Sequence, residues 1–567
     1  MITFTNVDWL VVVVYFIGIA VIAIWAAMQR EKDTADYFLA GRHGTWFLIG
    51  ASIFASNIGA EHLVGLAGSG AASGMAFAHW EMHSYLCLVL GWVFAPFYLR
   101  SKIFTTPEFL EKRYTPATRT FLSLIFLVSY ILTKASVTIY AGALTITTIL
   151  GFDRVVLPVI GEADFFWVAA FSLVVITGLY TVVGGMKAVL WTEGVQAPLL
   201  LIGSVVILVV GLDRIGGIDA LRAANAETIH LWRPLSTTPE TQGFPGFLFD
   251  PSQTPWLGVI LASPIIGLWY WCTDQYIVQR VLTANGIATA RRGAIFAGYL
   301  KLFPIFIFLI PGMIAVALKQ MGAEGFADME SPDEAFPRMV SHLLPEGLRG
   351  LVLAGMLAAL MSSLASLFNS TATLFTVDFY KRLRPQSTEA HLVGVGRAAT
   401  IFVVLAGMAW IPFLRQLGEG QLYGYLQLVQ SLLAPSIAAV FMLGIFSSRV
   451  TPAAGFVGIA LGFVVGMARL ALIVAADSGV EFSGPLEALA RLNWLYFSFF
   501  LFAGSCLVIF LVSLVTPQAS AEKLEGLTYA SVTASQQAEL KESVSVWDYV
   551  HTAVIVGIIA GVYWFFW

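Results

Sequence analysis

Asn57, Glu61 and His62 fall close together in FASNIGAEHLVGLAGSGAASG, residues 54–74, with Ser56 beside them. The stretch around them is apolar enough to cross a bilayer, yet Gly59, Gly65, Gly68, Gly70 and Gly74 punctuate it. Ionisable side chains at membrane depth are costly and mark sites. A membrane helix that breaks there frees carbonyl oxygens, which coordinate cations, while the polar side chains hold a substrate. Glycine alone fits a small-residue helix packed tightly on its neighbours equally well. The Asn–Glu–His cluster weighs the reading toward a binding site.

A second constellation is MSSLASLFNSTATLFT, residues 361–376, in which Ser362, Ser363, Ser366 and Ser370 form a hydroxyl stripe at helical spacing. Such hydroxyls commonly bond back to their own helix. Beside a broken helix, Ser362 and Ser363 also suit a small hard cation, which prefers oxygen. Glu81 sits among His79, Trp80 and His83, Lys301 in GYLKLFP, and Gln427 in YGYLQLVQ. Either Glu81 and Lys301 form a structural ion pair, or these side chains line a wet cavity. Carboxylate, ammonium, amide and imidazole together suit a polyol, which presents donors and acceptors at once. Tyr270, Trp271 and Tyr423 would then offer apolar faces to a sugar ring. Glu193 in WTEGVQ reads as a carboxylate near an inner helix end, and Arg469 has no evident partner. No nucleophile–base set, nucleotide loop or metal-ligand spacing is present, and GLAGSG lacks the lysine of a phosphate loop. An enzyme is therefore not expected.

These residues need elements to position them. With 58% hydrophobic and 12% charged residues over 567 positions, the chain reads as an all-α polytopic membrane protein. The net charge of −4 gives no reason to expect a nucleic-acid partner. Cys87, Cys272 and Cys506 lie in apolar segments, so no disulfide framework is expected. Apolar runs of about 20 residues suggest about fourteen spans, near 8–27, 46–71, 76–99, 119–150, 164–185, 188–211, 257–278, 294–319, 346–380, 394–413, 421–445, 452–474, 491–514 and 547–567. Arg30, Lys32, Arg42, Arg100, Lys102, Lys112, Arg113, Arg280, Arg291, Arg292, Lys381, Arg382 and Arg384 fall in alternate connections, which sets that side as cytoplasmic. Both termini are then outside, in a plasma or inner cell membrane.

Span two is glycine-broken, and span seven carries Trp269, Tyr270, Trp271, Thr273, Asp274 and Gln275 at membrane depth. Five spans separate the starts of the two, as two inverted five-helix repeats would require. The expected organisation is an extra helix and loop (1–45), a first repeat (46–211), an outer loop (212–256), a second repeat (257–445), accessory helices (446–515), a cytoplasmic linker (516–546) and a last span (547–567).

FASNIGAEHLVGLAGSGAASG, LWYWCTDQYIVQR, GYLKLFP, GQLYGYLQ and the run from Pro345 to Tyr380 resemble the sodium/glucose cotransporters of the solute:sodium symporter family. The similarity runs from about Asp36 to Leu514. It implies a LeuT-like five-plus-five inverted repeat with extra flanking helices. It implies a sodium ion held by the carbonyls of Ala55, Ile58 and Ala359 and the hydroxyls of Ser362 and Ser363. It implies a sugar site of Asn57, His62, Glu81, Tyr270, Trp271, Lys301 and Gln427. Tyr270 would be the inner gate, and Leu66 and Tyr423 the apolar outer gate. Relatives carry Thr or Asn at the place of Gly267, and a polar residue at that of Gly424. An Asp that helps form a second sodium site in some members is Glu193 here, with Ser366 present and Ala365 in place of a hydroxyl.

The reading is sodium-coupled symport of a neutral, glucose- or galactose-like hexose by alternating access, with one sodium per sugar. Inositol or another polyol is the alternative substrate. In a different class, a sensor on a transporter scaffold would carry an appended signalling domain, which the sequence to Trp567 does not supply.

Overall fold

The computed structural model describes residues 4–29, 33–59, 61–157, 161–416 and 422–567, without the side chains of 27, 132–133, 413–416 and 422–426. It is helical almost throughout. The helices that matter to the site are α1 (Asn6–Met28), α2 (Trp46–Asn57), α3 (Ala67–Ser73), α4 (Ser136–Leu150), α5 (Phe165–Ile215), α6 (Trp256–Leu268), α7 (Gln275–Leu282), α8 (Ile287–Leu300), α9 (Leu348–Thr373), α10 (Glu389–Gln416), α11 (Leu422–Phe446), α12 (Pro452–Asp477), α13 (Trp494–Val515) and α14 (Val546–Phe565).

Among the described residues, eleven helices are long and apolar enough to cross a membrane, against the fourteen spans expected. Part of the difference lies in α5, a continuous run of 51 residues. At about 1.5 Å per residue it far exceeds a hydrocarbon core of about 30 Å. It turns at Gly185, whose φ of +51° and ψ of −153° leave the helical region. A Cβ at Gly185 would meet the Tyr37 carbonyl oxygen at 2.7 Å, so only glycine fits this bend. Residues 164–185 and 188–211 are thus two crossings joined without a loop. Gly74, with φ +61°, divides the run from Glu61 to Arg100 in the same way.

The all-helical expectation misses one feature. Strands β1 (Arg154–Leu157) and β2 (Gly161–Asp164) pair antiparallel, Arg154 opposite Asp164. Asp164 closes the hairpin and caps α5, accepting from the Phe166 amide at 2.9 Å.

Both expected breaks are present. The helical path of span two stops at Asn57, Ile58 is extended (φ −87°, ψ 106°), and a π-helical turn from Glu61 to Leu66 leads into α3. Span seven runs as α6, a π-turn from Trp269 to Thr273, an extended Asp274 (φ −69°, ψ 126°) and α7. A helix end leaves its last carbonyls without intrahelical partners, so the break in span two turns backbone oxygens in the protein interior toward side chains of other helices. α9, its residues buried over most of its length, packs along α5 and against α2. The start of α9 is pinned to α1 by Asp8, which accepts from the amides of Gly347 at 2.7 Å and Gly350 at 2.9 Å.

Candidate functional site

The hydroxyl stripe of α9 faces the break in span two. Ser362 Oγ lies 2.8 Å from the Ala55 carbonyl oxygen and 2.9 Å from that of Ala359. Ser363 Oγ lies 2.9 Å from the Ile58 carbonyl oxygen and 3.1 Å from that of Ser56. The five expected cation ligands therefore fall in two buried hydroxyl–carbonyl groups on adjacent serines, Ser362 with Ala55 and Ala359 and Ser363 with Ile58. Neutral oxygens of this kind, supplied by a broken helix end, fit a small hard monovalent cation.

Tyr276, which the sequence did not single out, closes the ring from below. Its hydroxyl donates to the Ser56 carbonyl and lies 3.3 Å from the Ser363 carbonyl oxygen. The residue sits in the first turn of α7 because Asp274 caps that helix, accepting from the Tyr276 amide at 3.1 Å. The two breaks are thus joined by one side chain.

Beside these groups lies a cavity lined by Asn57, His62, Tyr270, Trp271, Lys301 and Gln427 among others. Those are six of the seven expected substrate residues. The seventh, Glu81, is fully buried behind them, its Oε2 2.6 Å from Lys301 Nζ and its Oε1 3.5 Å from His62 Nε2. Asn57 Nδ2 and His62 Nε2 lie 3.4 Å apart, so the chain Asn57–His62–Glu81–Lys301 is continuous. Glu81 and Lys301 form an ion pair, and Lys301 also lines the cavity. Lys301 Nζ stands 5.3 Å from the centre of the Trp271 ring, a further support for its charge.

Lys134 also reaches the cavity, from a π-helical turn between Tyr130 and Ala135. Its Nζ bonds Asp274 Oδ2 at 2.6 Å and lies 4.8 Å from the Tyr270 ring centre and 4.3 Å from that of Tyr276. The Tyr130 hydroxyl donates to the other Asp274 oxygen. This group fixes the expected inner-gate residue Tyr270 to the break in span seven.

The outer-gate expectations fare unevenly. Leu66 is fully buried at the end of the π-turn but does not line the cavity. The side chains of Tyr423 and Gly424 lie outside the described residues. Glu193 and Ser366 do meet: Ser366 donates to Glu193 Oε1, Ser52 donates to Oε2, and Ser56 Oγ lies 3.2 Å from Oε1. The sequence reading named Ser56 only as a polar residue of its stretch and missed Ser52. Their signal was present, two hydroxyls four residues apart on the helix that carries Ala55 and Asn57.

Residues 37–462 match the sodium:solute symporter family. The chain is 38% identical to sodium/glucose cotransporter 1 of Sus scrofa over 534 residues, covering 90% of this chain and 79% of that protein. It is 38% identical to the sodium/myo-inositol cotransporter of Canis lupus familiaris over 559 residues, covering 92% of this chain and 75% of that protein. Its structure resembles that of a sodium-coupled sialic acid symporter in a substrate-bound, outward-open state, with a TM-score of 0.73 and 20% identity over 91% of this chain and 99% of the other. The common architecture is the LeuT-like all-helical membrane fold.

Proposed function

This chain belongs to the sodium:solute symporter family, and from that premise we propose that its substrate is a neutral hexose carried with one sodium ion. Sodium-coupled symport across a membrane is the function, and the protein is a transporter, not an enzyme. One observation carries the substrate reading. Both ammonium groups that face the cavity are committed, Lys301 to Glu81 and Lys134 to Asp274, each at 2.6 Å. An anionic substrate would need a cation of its own, and among the described lining residues none is left for it. The groups that remain, amides, an imidazole and the faces of Tyr270 and Trp271, suit hydroxyls and a sugar ring.

In this reading sodium sits among Ala55, Ile58, Ala359, Ser362 and Ser363. Its arrival turns the two serine hydroxyls from donors toward carbonyls into ligands, which draws the end of α2 onto α9. Coupling requires that this contraction favour one conformation over the other, since equal affinity would shift nothing. Asn57 and His62 follow immediately along the same broken strand, so the contraction orders them for the sugar. Tyr276 carries the state of the ring to the Lys134–Asp274 pair beneath Tyr270, the proposed inner gate. The inward membrane potential adds about 2.3 kcal/mol per charge per 100 mV to the cycle.

Inositol is the second reading, favoured by the 38% identity to a myo-inositol cotransporter. Uptake of a panel of labelled hexoses and inositol into proteoliposomes, with and without an inward sodium gradient, separates the two. Sodium-driven uptake of a carboxylate in preference to every sugar and polyol would overturn both.

A further inference from the structure

Glu61 lines the cavity and has no part in the site described so far. It lies in the first turn after the break in span two, between the ion ring and the sugar residues. Its Oε2 is buried and has no hydrogen-bond partner. A Cβ built on Gly59 would lie 2.4 Å from Glu61 Oε2 and 2.9 Å from Ser363 Oγ, so the carboxylate and a ring hydroxyl face the same small space. The other charges that face it are already engaged. Lys301 is held by Glu81, which also contacts His62, and Lys134 is held by Asp274. Among the described residues, three carboxylates thus face two ammonium groups, and Glu61 is the one that neither ammonium bonds.

A buried, unsatisfied carboxylate is costly. Glycine at 59 keeps open the space in front of it, where a side chain would collide with its oxygen. From this the geometry points to Glu61 as a holding position for sodium at the mouth of the five-oxygen ring. The ion is captured there from the cavity and handed to Ser363. The inference rests on the sodium-coupled reading. A cleft with excess charge of one sign raises the local concentration and arrival rate of the opposite ion, by about 10-fold to 1000-fold where the walls exclude water. Capture and transfer are sequential, so one sodium still moves per cycle.

The test uses the purified full chain. Equilibrium binding of 22Na+ gives affinity, and rapid mixing with sodium, followed by tryptophan fluorescence, gives the association rate. Glu61→Gln should slow association about tenfold and raise half-saturating sodium by a similar factor, whereas Glu61→Asp, which keeps the charge, should stay within about threefold of the parent. Ser363→Ala should weaken equilibrium binding itself. Unchanged association in Glu61→Gln overturns the inference, as does a variant that binds sodium normally and loses only uptake driven by a proton gradient. If Glu61→Gln does not fold, the parent's association rate should still fall as choline chloride screens the charge, and a rate insensitive to choline chloride overturns the inference. A parent that binds no 22Na+ would overturn the sodium reading. Binding that depends on Ser363 but not on Glu61 would overturn this inference alone.

Discussion

The ring of His83 occupies the space in front of Gly267: a Cβ at that glycine would lie 2.8 Å from both Cε1 and Nδ1 of His83. His83 is held there by its Nε2, 2.7 Å from Ser263 Oγ, and His83 and Gly267 both line the cavity. His83 thus fills, from the facing helical segment, the space that a side chain at position 267 of α6 would take.

Gly267→Ala should therefore force His83 and Leu86 aside and lower both thermal stability and uptake. Overpacking of this kind costs about 1–3 kcal/mol. Combined with His83→Ala, the same substitution should cost less than the sum of the two single effects, by about 0.5–3 kcal/mol of coupling. Additive losses in a double-mutant cycle would show that the two residues do not compete for this space.

Ser363 and Ser362 predict a graded response to sodium. Ser363→Ala removes one ring ligand and leaves the Ile58 carbonyl without its hydroxyl. A lost partner at a buried polar group costs about 1–3 kcal/mol, which corresponds to about tenfold or more in half-saturating sodium. Sugar affinity at saturating sodium should change much less. Sodium-dependent uptake measured at several sugar concentrations checks this, and an unaltered sodium dependence would remove Ser363 from the ring.

Glu81 and Gln427 should separate by phenotype. Glu81→Ala leaves Lys301 buried without its carboxylate, a loss of about 3–5 kcal/mol for a broken buried pair, so expression and thermal stability should fall along with uptake. Gln427→Ala removes only a cavity-facing amide and should weaken sugar binding by about tenfold while the melting temperature holds. Equal losses of stability in both variants would place Gln427 in the structural framework.

The break in span two and the meeting of α2 with α9 were legible because composition carries them. Asn57 and Glu61 have no place in an ordinary lipid-facing helix, and Ser362, Ser363, Ser366 and Ser370 recur at three- and four-residue spacing. The seven proposed substrate residues were expected mainly through resemblance, since Glu81, Lys301 and Gln427 are isolated polar residues in apolar runs. Ser52 and Ser56 were hidden because small hydroxyls in a membrane helix bond back to it by default, as Ser56 Oγ does to the Ser52 carbonyl at 2.6 Å. Lys134 and Asp274 stand 140 residues apart, and no local pattern joins them. The hairpin of β1 and β2 carries only four residues per strand, too few for an alternating pattern to register. The turn at Gly185 has no polar loop, so periodicity alone could not show that two crossings run into each other.

Asp250, in the segment between α5 and α6, predicts a pH response. Its burial works against the charged form, but hydrogen bonds from Thr241, the Thr237 amide, the Ser252 amide and the Thr237 hydroxyl outweigh that and hold its carboxyl below the usual carboxylate range. A depressed value contributes stability that is complete above about pH 4 and is lost as the pH falls through the folded-state value. Amide exchange at Thr237 and Ser252, corrected for the intrinsic rate, should give the same opening free energy at pH 8 and pH 6. Asp250→Asn should lower it at both. A parent loop that weakens between pH 8 and pH 6 would rule out Asp250 as its anchor.

Stoichiometry follows from how Glu193 is satisfied. A second ion beside it would need a carboxylate whose lone pairs and charge are still available. Ser366 and Ser56 approach one oxygen and Ser52 the other, so hydroxyl donors already engage both. The guanidinium of Arg280, fully buried on α7, acts electrostatically on the same carboxylate, so its charge is opposed as well. Ala365 adds no side-chain ligand. The groups at Ser362 and Ser363 differ in kind: their acceptors are neutral carbonyls. One sodium per sugar is therefore expected. A reversal-potential measurement in proteoliposomes at several sodium and sugar gradients decides it, because the flux null point should track the first power of the sodium ratio. A null point that tracks the square would mean that sodium displaces the serine hydroxyls from Glu193. Ser52→Ala and Ser56→Ala, which remove those donors, would then change the exponent or the affinity for the second ion, whereas under single-ion coupling they should leave the exponent at one.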